Sequence, residues 1–148
     1  MKKDFTTEYP ELQRFIACYS ALDKANLATL DSLYAKEVVF EDPAHRIEGY
    51  ANLQRYFAAL YANLNQCQFE MKDAIMVENT AYLRWTMQLS HPKLAQGKLR
   101  EIAGCTYLKF DQQRVVYHRD YFDLGAMLYE AVPVLGSIIQ AIKKRLGQ

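Results

Sequence analysis

Apolar and polar positions repeat along this chain with two periods, and the change of period divides it. Leu12, Phe15, Ile16, Tyr19 and Leu22 recur at helical spacing behind Pro10, which the first turn of a helix tolerates, and predict an amphipathic helix of about four turns. Leu27, Leu30, Leu33 and Tyr34 form the stripe of a second, shorter helix with Asn26 as its N-cap. Glu37–Glu41 is short and β-branched and stops at Asp42-Pro43, which places Asp42 at a strand end. After Gly49 a third helix is predicted from Leu53, Tyr56, Phe57, Leu60, Tyr61 and Leu64.

From Cys67 the period becomes two. Cys67, Phe69 and Met71 alternate with polar neighbours, Glu78-Asn79-Thr80 reads as a turn, and Ala81, Leu83, Trp85, Met87 and Leu89 then alternate with Tyr82, Arg84, Thr86, Gln88 and Ser90. A long loop from His91 to Lys98 leads to a strand from Leu99 to Phe110, and a turn at Asp111-Gln112-Gln113 to a last strand from Val115 to Phe122. Three helices followed by sequential strands, with no βαβ alternation, predict an α+β domain with a largely antiparallel sheet and helices packed on one face. The core spans about 10–123 within a single domain of 1–148. The segment 124–148 is an apolar-rich helical extension broken at Pro133, with Ile138, Ile139, Ile142 and Leu146 on one stripe ahead of Lys143-Lys144-Arg145.

Composition narrows the classes. With 51% hydrophobic and 24% charged residues the chain is that of a globular protein, and at 148 residues it can bury about 70% of its unfolded surface without disulfides. The formal charge of +1, with basic and acidic residues interspersed, lacks the footprint of a nucleic-acid binder. Cys18, Cys67 and Cys105 are scattered, form no CxxC or Cys/His cluster, and are expected as reduced buried thiols of a cytoplasmic protein. The segment MKKDFTTEYPEL continues into acids and Pro instead of an apolar stretch, so no signal peptide is expected there. Neither a cofactor nor a metal site is expected: there is no phosphate-cradling glycine loop, no GxSxG and no HExxH, and His45, His91 and His118 are far apart in sequence.

Candidate chemistry rests on polar groups stranded among apolar ones. Asp42 is one. His118 and Asp120 are the others, expected on one strand face with Val116 and Phe122, and about 6 to 7 Å apart by strand geometry. An imidazole beside a carboxylate is suited to moving a proton near neutral pH. The structural alternatives are a satisfied polar cluster for His118 and Asp120, and an Asx turn before Pro43 for Asp42.

The order helix, short helix, Phe40-Glu41-Asp42-Pro43, Ile47-Glu48-Gly49, helix, and strands ending in Tyr117-His118-Arg119-Asp120-Tyr121-Phe122-Asp123 resembles the SnoaL-like branch of the nuclear-transport-factor-2-like superfamily. Leu33–Pro43 resembles the ketosteroid-isomerase segment that carries the proton-transferring Asp, which implies a general-base role for Asp42. The oxyanion-hole Tyr and Asp of those isomerases align with Cys18 and Thr106, so that acid pair is not implied. SnoaL-like polyketide cyclases carry an acidic residue on the last strand, where His118 and Asp120 stand.

The resemblance implies a cone-shaped, curved sheet with the three N-terminal helices packed in its concavity, and a pocket for a small hydrophobic carbonyl compound, lined by Phe15, Cys18, Tyr19, Phe40, Tyr56, Phe57, Thr106 and Phe122. The chemistry would be that of an isomerase or cyclase, with Asp42 as base, His118 as acid or proton shuttle and Asp120 orienting His118. The alternative is a non-catalytic ligand-binding or dimerisation module. A homodimer through the open sheet face is expected, and nucleic acid is not a partner. The basic C-terminal helix is expected to close the pocket or bury itself at an interface, with membrane contact as the weaker reading.

Overall fold

A computed structural model describes residues 8–128, 132 and 134–147. The N-terminal residues 1–7 and the predicted break at Pro133 lie outside the described residues. Helix α1 (Pro10–Ser20) starts at its proline and buries Leu12, Phe15 and Tyr19 on the predicted stripe. The next segment is a 3-10 turn, Leu27–Ser32, in place of the predicted α-helix. Asn26 holds the N-cap position, but its side chain is used backwards: Oδ1 accepts from the Asp23 N–H at 2.8 Å and Nδ2 donates to the Ala21 carbonyl at 2.6 Å. A side chain spent on the preceding turn cannot cap the following one. Tyr34, predicted on that helical stripe, opens strand β1 (Tyr34–Glu41).

Strand β2 (Arg46–Glu48) folds back on β1 around Asp42–His45, where the sequence predicts only a turn. Three residues are too few to display a period, so β2 was invisible in the pattern. Helix α2 (Tyr50–Ala62) follows Gly49, whose φ of +83° is open to glycine without steric cost, and buries Leu53, Phe57 and Tyr61. The helices are therefore separated by a hairpin rather than consecutive.

Strands β3 (Gln66–Val77), β4 (Thr80–Ser90), β5 (Arg100–Asp111) and β6 (Arg114–Phe122) form an antiparallel meander. The sheet is open and curved, in the order β2-β1-β6-β5-β4-β3, with β1 and β6 parallel and the other neighbours antiparallel. The alternation on β4 is realised as predicted, with Ala81, Leu83, Trp85, Met87 and Leu89 buried and Tyr82 exposed. Helices α1 and α2 cover this inner face, and Phe15, Tyr19, Leu53 and Phe57 join Val38, Phe40, Leu83 and Leu108 in one core.

On β6 the inward set differs from the predicted one. The pairing with β5 shifts between Tyr117 and Val115, so Val116 is an extra residue and Val115, fully buried, takes its place inside. One inserted residue reverses the facing of everything before it, and a period of two cannot reveal where it sits. Beyond β6 the chain forms a short helix, α3 (Leu124–Met127), capped by Asp123, and then α4 (Leu135–Leu146). No helix among the described residues is long and apolar enough to cross a membrane.

Candidate functional site

Between α2, the inner sheet face and α3 lies a cavity of about 210 Å³, open at one side. Its wall is apolar and aromatic, with Phe40, Phe57, Phe69, Trp85, Met87, Phe122 and Met127 contributing, and its polar members include Asp42, His45, Tyr56 and Asp120. A fully apolar cavity of about 150 Å³ can hold benzene, so this space suits a ligand of at least one ring. A larger hollow of about 480 Å³ near the end of α1 is more open and touches neither Asp42 nor Asp120.

Asp120 reaches the cavity from β6 and has a chain of groups behind it. Its Oδ1 accepts from the Thr106 hydroxyl at 2.5 Å and lies 2.7 Å from His118 Nε2. The Thr106 oxygen in turn accepts from the Trp85 indole N–H at 2.8 Å. On the other side His118 Nδ1 lies 2.9 Å from the Tyr34 hydroxyl, which is hydrogen-bonded to the Tyr19 hydroxyl. The His118 ring packs against Phe15 and Phe40, with centroids 5.7 and 4.7 Å away. Its side chain is only 2% exposed, against 16% for Asp120. His118 is thus held behind Asp120 with both nitrogens engaged, and the hydrogen bonds recorded for Asp120 all end on Oδ1. Burial drives the Tyr19 and Tyr34 phenols well above their ordinary range, so both remain proton donors.

Asp42 is positioned by its own turn. Its Oδ1 accepts the Ala44 and His45 N–H groups at 2.8 and 2.7 Å, an Asx turn ahead of β2. Its Oδ2 accepts from the Tyr56 hydroxyl at 2.8 Å, and His45 Nδ1 lies 3.0 Å from Oδ1. The Asp42 side chain is 8% exposed, whereas that of His45 is 51% exposed. Burial, reinforced by the neighbouring Asp42 carboxylate, pushes the Tyr56 phenol far above its usual range, so it stays protonated on Asp42.

The structure therefore brings Asp42 and Asp120 to one cavity and leaves His118 behind its wall. Of the expected lining residues, Phe40, Tyr56, Phe57 and Phe122 line it. Phe15 and Tyr19 lie deeper, because α1 packs so closely on the sheet that they fill the space around His118. Cys18 turns from the cavity to Thr29, with Sγ 3.2 Å from Oγ1, and Thr106 sits beneath Asp120 as its support. Sequence reasoning missed Trp85, Met87 and Cys67 as lining, although their inward alternation was visible. It had no signal for Tyr34 as the partner of His118. Among the described residues no three His, Cys, Asp or Glu side chains gather into a metal-sized group.

The topology and the matching sequence model agree. The SnoaL-like domain profile matches residues 12–118. The chain belongs to the SnoaL-like family. Similar solved structures include a ketosteroid-isomerase-like protein from Catenulispora acidiphila in complex with trimethylamine (14% identity, TM-score 0.71), where 83% of this chain and 93% of that one are covered. A SnoaL-like polyketide cyclase homologue from Jannaschia sp. CCS1 aligns with TM-score 0.71 at 10% identity, covering 84% of this chain and 92% of its own. TerC, co-crystallised with polyporic acid, aligns with TM-score 0.68 at 13% identity, covering 80% and 95%. At such identities these likenesses establish for this SnoaL-like chain the fold alone. No curated protein matches it by sequence.

Proposed function

We propose that this SnoaL-like protein binds a small, largely apolar carbonyl compound in the α2–sheet cavity and moves a proton beside the carbonyl, as an isomerase or cyclase does. The observation that carries this reading is a carboxylate on an apolar wall with one oxygen held and the other uncommitted. Thr106 and His118 bind Asp120 Oδ1, which leaves Oδ2 for a substrate C–H. His118 is then a positioning residue for Asp120, the reverse of the order expected from sequence. Asp42 suits the base role less well than Asp120, since its turn and Tyr56 already occupy both its oxygens.

In the proposed step Asp120 Oδ2 takes the proton from the carbon next to the carbonyl, and the electron pair moves onto the carbonyl oxygen. His45 is the counterpart acid. Its Nδ1–H is held by Asp42, and in its protonated form Nε2–H supplies a proton to the oxygen. Return of the Asp120 proton to a different carbon, as the enol O–H gives its proton back to His45 Nε2, gives isomerisation. Attack of the enol carbon on a second carbonyl, with the enol O–H proton returning to His45 and the Asp120 proton passing to the new alkoxide, gives ring closure. Neighbours of this fold are in complex with trimethylamine and with polyporic acid, which supports a small-molecule occupant without naming it.

Trp85 is the chain's only tryptophan and lies in the cavity wall, so its fluorescence reports occupancy. Small aromatic and alicyclic ketones titrated into the protein should perturb that emission. Exchange of their α-protons in D2O, followed by NMR, should fall by about 100-fold or more in Asp120→Asn with binding nearly retained. Ligand binding with no enzyme-dependent exchange would instead make this a non-catalytic binding module.

A further inference from the structure

We infer that α4 is a membrane-surface helix that seats its apolar edge on an anionic lipid leaflet. At 100° per residue, Leu135, Ile138, Ile139, Ile142 and Leu146 fall within an arc of about 100°. This stripe is not what holds α4 to the domain. Leu135, Ile138, Ile142 and Leu146 are 41, 52, 54 and 82% exposed, whereas the buried position is Gly136, away from their arc. The tether to the domain is Lys143, whose ammonium donates to Asp123 Oδ2 at 2.5 Å from the side of the helix that carries Gly136. No residue of α4 lines the cavity, whose outer wall comes from Leu124, Met127 and Leu128 instead, so the expected lid role is not taken up.

The chemistry of the edges selects the occupant. On the helical wheel Lys143 borders one side of the apolar arc and Arg145 the other, and residues 132–148 contain no Asp or Glu. The side chains of this segment carry three cations and no acid, a local excess of positive charge in a chain whose formal charge is +1. An acid-free helix with a cation beside its exposed apolar stripe suits a leaflet, where the stripe enters the acyl boundary and Arg145 meets lipid phosphates and carboxylates, while Lys143 stays on Asp123 and Ser137, Gln140 and Lys144 face water. A second copy is disfavoured by the same charges. Two α4 stripes face to face would bring two cationic sets together, and the first turn holds no acid to receive them. The helix is formed in the free domain, so binding does not have to supply the cost of folding it.

The test is co-sedimentation of the full chain with vesicles rich in phosphatidylserine and with vesicles of phosphatidylcholine alone. Binding to the anionic vesicles at low salt and its loss at about 0.5 M salt are expected. Ile138→Glu with Ile142→Glu should abolish it while far-UV circular dichroism and the melting temperature stay unchanged, since both residues are exposed. Arg145→Gln should weaken it by about fivefold. Three results would overturn the inference: no binding to phosphatidylserine vesicles at low salt, binding indifferent to the Ile138 and Ile142 changes, or a dimer in sizing that those changes dissolve, which would assign the stripe to a second copy.

Discussion

At the scale of single residues, each acid in the cavity is defined by what stands behind it. Asp120, within β6, and Asp42, just past β1, are carboxylates on one wall, yet Asp120 rests on Thr106 and His118 while Asp42 is wrapped by its own turn and Tyr56. Cys67 shares the wall with them and carries a different consequence: burial pushes its thiol up to about 11. The thiolate is the reactive form, so alkylation of Cys67 by iodoacetamide should be slow at neutral pH and rise about tenfold per pH unit until near that value. Site-resolved mass spectrometry checks this, and a cavity ligand should slow the reaction further. A Cys67 that saturates below pH 9 would mean that the wall is open to water. The pairing of His118 with Asp120 was legible in sequence as two stranded ionisable groups on one strand. Its polarity, with His118 inside and Asp120 outside, was not, because it depends on how deeply α1 presses Phe15 and Tyr19 against the sheet.

At the scale of elements, the cavity depends on how β4 and β5 pack against each other. Trp85 pairs directly with Gly104, and a Cβ on Gly104 would lie 2.2 Å from the indole Cη2. Trp85 is itself buried and bonded to Thr106, so it cannot swing away freely. Gly104→Ala is therefore expected to cost about 1–3 kcal/mol, read from urea unfolding, and to shift the emission maximum of Trp85. An unchanged midpoint and spectrum would contradict the close approach. In sequence this glycine was one residue inside a strand pattern, with nothing to mark its neighbour. The long elements, α1, α2 and β3 to β6, were readable because their periods run over many residues. The 3-10 turn, β2 and the Val116 bulge were not, because the Asn26 side chain is spent on the turn before the 3-10 segment, β2 is only three residues long, and the bulge is set by pairing with β5.

At the scale of the whole molecule, α3 and α4 are joined to the domain through Asp123. Asp123 caps α3 with Oδ1 and takes the Lys143 ammonium on Oδ2, and the Lys143 bond, with the Ala126 N–H, holds its carboxyl below the usual range. A carboxyl so depressed in the folded state contributes stability above its unfolded-state pKa and loses it as pH falls through the folded value. Acidification below about pH 4 should thus loosen α4 before the sheet. Amide hydrogen exchange measured across that range should show protection falling first in residues 135–146. Uniform loss across α4 and β4 would mean that the tether has no separate role.

The sequence alone determined the α+β class, the main helices and strands, the family and the short list of acids, since these follow from local periods and from residues that are polar where apolar ones are expected. Tertiary structure decided which of those residues meet. The inner face of β6 was reset by one bulged residue, the roles of His118 and Asp120 by the depth of α1, and the fate of the α4 stripe by a tether placed on another side of the helix. The physical reason is the same in each case. Periodicity reports which face of an element is apolar, whereas the distance and order of groups across a cavity depend on contacts between elements far apart in the chain.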